Sequence, residues 1–386
     1  MDKITLRVHA PAGWVDWSYW KSAEITRQID AISGAFSISL ADRWAAEGGE
    51  AMPLAAGMKC ALLIGKDPVI LGYIDKAAPA LSASDHGIGV SGRDRSADLV
   101  DCSAVHSPGH WMNIDVLRLA RELAGPFGVP VYAEGDIGAP IPSFKLEQGE
   151  TAFEALNRAL KLRELLACPD GAGGLALLKV GGRRNRTVLK QGENILAASV
   201  DYDLTDRFSD YLVLGQQPGS DDLFGLEASA VHASARDAAV RRYRPLIIRA
   251  ENAVDSGAAQ QRAAWERAVR AARSVTVTVT VPGFRQGAVG SLEGPLWRLN
   301  ALTSVDIPYL RLRQELLVTR ITCRRDDSSG SVTVLELKDP ASFRPEPKIQ
   351  EPAPLWDYRV EAEKDLLARQ LEHAERQNGQ ILEGRP

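Results

Sequence analysis

Cys102, His106 and His110 are the only metal-ligand residue types that recur at short spacing in this chain. At four-residue intervals, all three fall on one stripe of a continuous helix. Such a set is the starting point for a metal-dependent hydrolase. Other features of the sequence argue against it. Pro108-Gly109 breaks any helix between the second and third candidates. A structural zinc site also wants a fourth ligand and usually a tighter pair, and the nearest carboxylates are Asp101 and Asp115. The plainer reading is a buried cysteine near a domain junction with two loop histidines.

Gly87-Ile-Gly89-Val-Ser-Gly92 matches GxGxxG letter for letter. A dinucleotide site needs those glycines between a strand and a helix, so that backbone N–H groups face the pyrophosphate. Here they sit inside an alternating run, where glycine marks a bulge or a close packing contact. Gly171-Ala-Gly173-Gly-Leu-Ala176 follows a helical pattern and precedes a strand, the reverse of the required order. GxxxxGK[ST], GxSxG, HExxH and SxxK with its partners are all missing. The paired carboxylates Asp221/Asp222 and Asp326/Asp327 lie in turn-like sequence. The reading is therefore no enzyme, no catalytic, cofactor-binding or metal residue, and no cofactor. The hydrolase at Cys102/His106/His110 stands as the alternative.

Two basic runs, Arg183-Arg184-Asn185-Arg186 and Arg241-Arg242-Tyr243-Arg244, suit phosphate contact or a subunit interface equally well. A nucleic-acid module using Arg183, Arg184 and Arg186 is a further alternative. Arginine outnumbers lysine 34 to 12, and arginine is the cation favoured at protein interfaces because its planar fork pairs bidentately and stacks. Trp14, Trp17, Trp20 and Trp44 are half of the eight tryptophans and lie in the first 44 residues. That density is too great for one small core and implies a packing surface for another chain.

The elements that would position these residues are mostly short strands. Residues 4–8 and 36–40 alternate, and 60–64 with 69–74 form a hairpin turning at Lys66-Asp67-Pro68. Periodicity then predicts a helix over 113–124, stopped by Gly125-Pro126. Thr151 and Glu154 form a capping box that opens a helix to about Ala167. Residues 175–180 and 187–189 suggest a hairpin around the first basic turn. Strands return from about 196. A helix is expected over 258–273, and 275–281 alternate without exception. A second hairpin joins 316–322 to 331–337. The stretch 57–92 and the stretch 300–337 share a plan of strand, apolar strand, polar turn and alternating strand. Past Pro340 the chain becomes Pro-rich and ends in a polar helix over about 359–377.

Composition narrows the class without naming a chemistry. The 386 residues carry 46 basic and 50 acidic side chains, a net −4. That balance argues against a dedicated nucleic-acid or polybasic membrane binder. No apolar run reaches the ~18 residues of a spanning helix. The four cysteines, Cys60, Cys102, Cys168 and Cys323, are scattered, as in a reduced cytosolic protein. The start of the sequence shows no secretory signal pattern.

A longer set of residues resembles a known family. It comprises Trp20-x-Ser22-x-Glu24-Ile25-x-Arg27-x-Ile29-Asp30, Gly34-x-Phe36-x-Ile38-x-Leu40, Gly72-Tyr73-Ile74-Asp75 and Gly92-Arg93-Asp94-x-Ser96-Ala97-Asp98-Leu99-Val100-Asp101-Cys102-Ser103. The middle adds Leu119-Ala120-x5-Pro126-Phe127-Gly128-Val129 and Leu146-x3-Glu150-Thr151-Ala152-Phe153-x2-Leu156. Later come Arg207-Phe208-Ser209-Asp210-Tyr211, Val279-x-Val281-Pro282-Gly283-Phe284-Arg285 and Leu296-Trp297-x2-Asn300. Their order and spacing resemble the Mu-type phage baseplate hub proteins, relatives of the T-even hub, the late-control D proteins and the N-terminal region of VgrG. The resemblance covers about residues 1–345.

The resemblance implies a β-rich α+β fold. A first β-barrel domain would span 1–104, an inserted α+β domain 105–195 and a second, related β-barrel 196–345, whose early strands can complete the first barrel. A Pro-rich segment and helical tail would span 346–386. It implies the structural hub of a contractile phage or prophage tail, a late virion protein of the baseplate assembled in the host cytoplasm. As a homotrimer, the hub would form a ring of six barrels that adapts the six-fold tail tube to the three-fold central spike. Its partners would be the spike, the tail tube and other baseplate proteins. DNA would pass through its channel without specific binding, and there would be no stable membrane insertion.

Overall fold

In the computed structural model, residues 2–18, 20–41, 54–81, 86–216, 230–250, 256–288, 293–328 and 330–347 are described. The expected C-terminal helix lies outside these residues. The chain divides into two compact units, one of residues 1–207 and 268–345 and the other of 208–267 and 346–386.

Period-2 alternation builds the first unit. Strand Ile4–Ala10 turns Ile4, Leu6 and Val8 inward to full burial, and Val275–Pro282 does the same with Val277, Val279 and Val281. These strands belong to one sheet of 14. Its path starts with Ala197–Tyr202, Val275–Pro282, Gly330–Lys338 and Leu312–Asp326. It continues through Ser22–Gln28, Ala31–Ala41, His86–Asp94 and Asp67–Leu81, and ends with Lys59–Ile64, Ile4–Ala10 and Gly13–Trp17. Every step is antiparallel. One core joins the first hundred residues to the last: Ile25, Phe36 and Leu62 share it with Val279, Ile321 and Leu335.

The two stretches that share a plan in sequence share it in space. Asp67–Leu81 and Leu312–Asp326 are both 15 residues long. The first half of each pairs with a short strand, Lys59–Ile64 or Ala301–Ile307. The second half pairs with a nine-residue strand, His86–Asp94 or Gly330–Lys338. Each ladder skips one residue, at Ile74/Lys76 and at Val318/Arg320.

The segment 97–178 builds a separate core around two helices. Val116–Ala124 is capped by Asp115, whose carboxylate accepts from the N–H groups of Leu117 at 2.8 Å and Arg118 at 3.0 Å. The helix starts later than its periodicity predicts, because residues 110–114 pair as a strand with Ile141–Lys145. The capping box of Thr151 and Glu154 forms as predicted. Its helix ends at Lys161 rather than near Ala167: Glu164 takes a left-handed φ of +58° and the chain enters strand Leu166–Pro169. Leu119, Ala120, Leu156 and Leu160 pack between the helices and the sheet.

The hairpin expected around the first basic run does not form. Leu175–Leu178 pairs with Leu166–Pro169 and with Val131–Glu134. Arg183–Arg184 and Leu189–Lys190 instead add in parallel to Ala301–Ile307. The apolar residues decide this: Leu175 and Leu177 bury in the helix-bearing core, Leu189 in the main one.

In the second unit, Asp210–Gln216 lies between Ala230–Arg236 and Pro245–Arg249. The helix Ser256–Arg273, close to its predicted span, starts in this unit and places Ala259 and Ala263 against Val213, Val231 and Ala233.

Candidate functional site

The metal set is not assembled. Cys102 caps the short helix Ala97–Asp101 and is exposed, correcting the expected buried cysteine. His106 stacks on Trp111 with ring centroids 4.5 Å apart, and its Nε2 lies 3.6 Å from Glu122 Oε2. That carboxylate accepts from Trp111 Nε1 at 2.7 Å and from Arg118 Nε at 2.9 Å. The Trp111 hydrogen bond foremost, then Arg118, holds its pKa below the usual range. His110 faces Ser143 Oγ at 3.1 Å instead. Among the described residues no three His, Cys, Asp or Glu side chains could hold a metal ion. The turn at Pro108-Gly109 and the strand at 110–114 scatter the stripe that a helix would have aligned. Burial pushes the Cys60 and Cys168 thiols up to about 12, so neither is a nucleophile.

The first basic run is also occupied. Arg183 forks onto Glu134, with Nε 2.8 Å from Oε2, and Arg184 pairs with Glu315. The backbone N–H of Arg186 donates to Gln286 Oε1 at 2.8 Å. These arginines fasten the 183–190 segment to its own chain. The glycine motif lies within strand His86–Asp94, which runs on past Gly92, and the next helix opens only at Ala97 rather than on the last glycine. A Cβ on Gly92 would lie 2.2 Å from the Tyr73 carbonyl oxygen across the ladder, so the glycine serves close packing.

Several further motif residues are fasteners. Arg93 Nε donates to Asp75 at 2.7 Å and its Nη2 to Asp101 at 2.7 Å. Asp94 is buried, and its two oxygens accept from the N–H groups of Gly34 and Leu71, each at 2.9 Å. Burial pushes its pKa up to about 6 against those two hydrogen bonds. Arg285 is buried between Asp2 and Asp67, with Nη2 2.6 Å from Asp67 Oδ2. Asn300 is fully buried, accepts from Gly181 N at 2.8 Å and donates to the Lys179 carbonyl at 2.8 Å. Only Asn300, set between Leu299 and Ala301, stands out in sequence as a polar residue among apolar ones; Arg93, Asp94 and Arg285 have polar neighbours and give no such signal.

What remains for function is surface. The tryptophan cluster reduces to one exposed member. Trp20 Nε1 donates to the Ile4 carbonyl at 2.8 Å and Trp17 packs on the main core, while Trp14 is 50% exposed. Trp44 lies outside the described residues. Gly13–Trp17 and Ala197–Tyr202 are the two ends of the sheet path, and among the described residues each has an open edge. Tyr202 is 68% exposed beside its edge. Open, apolar-bearing edges are templates for another chain.

Comparison with known proteins agrees with an assembly role. The chain is 33% identical to the baseplate hub protein gp44 of Escherichia phage Mu over 332 residues, covering 84% of this chain and 85% of that protein. The chain belongs to the Mu baseplate hub family. A family model described as baseplate hub protein gp44-like, second domain, matches residues 96–179. The N-terminal model of Mu phage baseplate assembly protein GpP-like proteins matches 4–94, and the GpP fourth-domain model matches 255–346. The third-domain model of NMB1110-like tail proteins matches 207–265. The 43 kDa tail protein of prophage MuSo2 from Shewanella oneidensis superposes with a TM-score of 0.78 at 30% identity, over 90% of this chain and all of that one. A tail protein from Neisseria meningitidis MC58 shares the fold, with a TM-score of 0.69 at 20% identity over 89% of this chain and 99% of that one. Members of this family are structural proteins of the phage tail baseplate, not enzymes. Among the described residues, no helix is long and apolar enough to cross a membrane.

Proposed function

We propose that three copies of this hub close into a ring that adapts the six-fold tail tube to the three-fold central spike. The observation that carries this reading is the pair of like-built strand blocks inside one chain. Two such blocks per chain present six to a tube when three chains close a ring. In this reading 1–104 and 196–345 carry the related β-barrels. Residues 105–195 form the inserted α+β domain and 346–386 the C-terminal segment. The spike, the tail tube and other baseplate proteins are its partners, with assembly in the host cytoplasm. DNA passes through the ring unbound, and a net charge of −4 per chain suits a channel that should not retain it.

Light scattering at micromolar concentration tests the ring. The expected mass is three times the 41.8 kDa of one chain. A stable monomer would sink the proposal.

A further inference from the structure

The sheet contains one junction between its two strand blocks that is filled and one that is empty. At the filled junction, Ser22–Gln28 runs antiparallel to the second half of Leu312–Asp326, from Arg320 opposite Gln28 to Asp326 opposite Ser22. The equivalent half of Asp67–Leu81 is residues 76–81, just past the same skipped residue. Its inner ladder goes to His86–Asp94, and among the described residues no strand pairs with its outer side. The counterpart of Ser22–Gln28 is Ala197–Tyr202. Each pairs antiparallel with the strand beside the nine-residue one, Ala31–Ala41 or Val275–Pro282. Among the described residues Ala197–Tyr202 is also open on its other side.

We infer that Ala197–Tyr202 of one copy adds antiparallel to residues 76–81 of the next, in the register that Ser22–Gln28 uses on Leu312–Asp326. This rests on the trimeric reading and specifies how its subunits join. Superposing the two ladders puts Ala78 opposite Asp201, Pro79 opposite Val200 and Ala80 opposite Ser199. Lys76 then faces Asp203, an opposite-charge pair.

Burial supports the match. At the filled junction Ala23 and Ile25 are 2% exposed, and Ile321 and Cys323 are 1% and 5% exposed. Their counterparts Ala198, Val200 and Ala77 point at the same core but are only half-buried, and Pro79 is exposed. Pairing would complete burial already present on the other side of the block. Pro79 has no N–H, which costs the new ladder at most one hydrogen bond. The two edges differ, so the contact is head-to-tail, the kind of contact a three-copy ring needs and a two-fold dimer cannot use. Gly13–Trp17 is open too, but no filled junction corresponds to it.

Cysteine pairs test the register. Thr26 and Thr322 stand where Asp201 and Ala78 would, and their Oγ1 atoms are 3.3 Å apart. With exposed Cys102 changed to serine, the pair Ala78→Cys/Asp201→Cys should oxidise to disulfide-linked two- and three-chain species that collapse on reduction. A second pair, Ala80→Cys/Ser199→Cys, should do the same. The pair Thr26→Cys/Thr322→Cys should link within one chain and shows that the geometry permits a bond. A trimer by light scattering in which both intersubunit pairs fail to link, or link only within one chain, overturns this interface and leaves the trimer standing. A wild-type protein that is monomeric overturns the trimer itself.

Discussion

Arg324 Nε donates to Glu24 Oε2 at 2.7 Å, a bond between residues 300 positions apart. It lies on the ladder where the first strand block meets the last, above a core that both share. Both side chains are about half exposed, so the pair marks the register more than it holds the junction.

That division of labour is measurable. A double-mutant cycle on Arg324→Ala and Glu24→Ala should give a coupling of about 0.2–1 kcal/mol that shrinks in salt. Ile25→Ala, on the buried side of the same strand, should cost about 2–5 kcal/mol in urea titration. Comparable losses from the two would mean that the ion pair is the stronger fastener.

Two glycines of the GxGxxG run should respond in opposite ways. A Cβ at Gly92 would meet the Tyr73 carbonyl at 2.2 Å and the Phe36 ring at 2.7 Å, whereas one at Gly89 meets nothing within 4 Å. Gly92→Ala should abolish soluble folded protein. Gly89→Ala should stay within about 1 kcal/mol of wild type, since alanine also restricts the unfolded chain. Equal tolerance of both changes, judged by melting temperature, would contradict the packing role.

Asp94 makes stability depend on pH. Its folded pKa of about 6 lies above the ordinary carboxylate value of an unfolded aspartate, so in that window the native state holds more protons than the unfolded one. Stability contributed by this group therefore falls as pH rises from about 4 to about 6, and the whole penalty, about 3 kcal/mol, is present above that window. Asp94→Asn removes the titration. The difference in unfolding free energy between wild type and variant should drift against wild type across that window and flatten above it. A constant difference from pH 4 to 7 would refute the assignment.

Chelation should do nothing. With Cys102 exposed, His106 beside Glu122 and His110 facing Ser143, purified protein should hold less than about a tenth of an equivalent of any transition metal, and a chelator should leave its melting temperature unchanged. A stoichiometric metal would reopen the hydrolase alternative.

Much of this fold is legible residue by residue. The capping box of Thr151 and Glu154, the alternation over 275–281 and the helix ending at Arg273 depend on side chains a few positions apart, and each forms in the structure. Helix ends were less legible where tertiary pairing intervened, as at Asn113, which a strand claims, and at Glu164, which turns left-handed. The candidate metal site failed for the same reason, since a stripe exists only if the helix does.

Side-chain pattern alone shows which faces are apolar, where most turns and caps fall and, through scattered motif residues, the family. Strand neighbours are set by long-range packing. A period-2 pattern states which side of a strand is buried but is silent on what lies beside it, because backbone hydrogen bonds are the same for every partner. Thus Arg183–Arg184 and Leu189–Lys190 left their expected hairpin for Ala301–Ile307, and Ser22–Gln28 joined Leu312–Asp326 to make one sheet of two blocks.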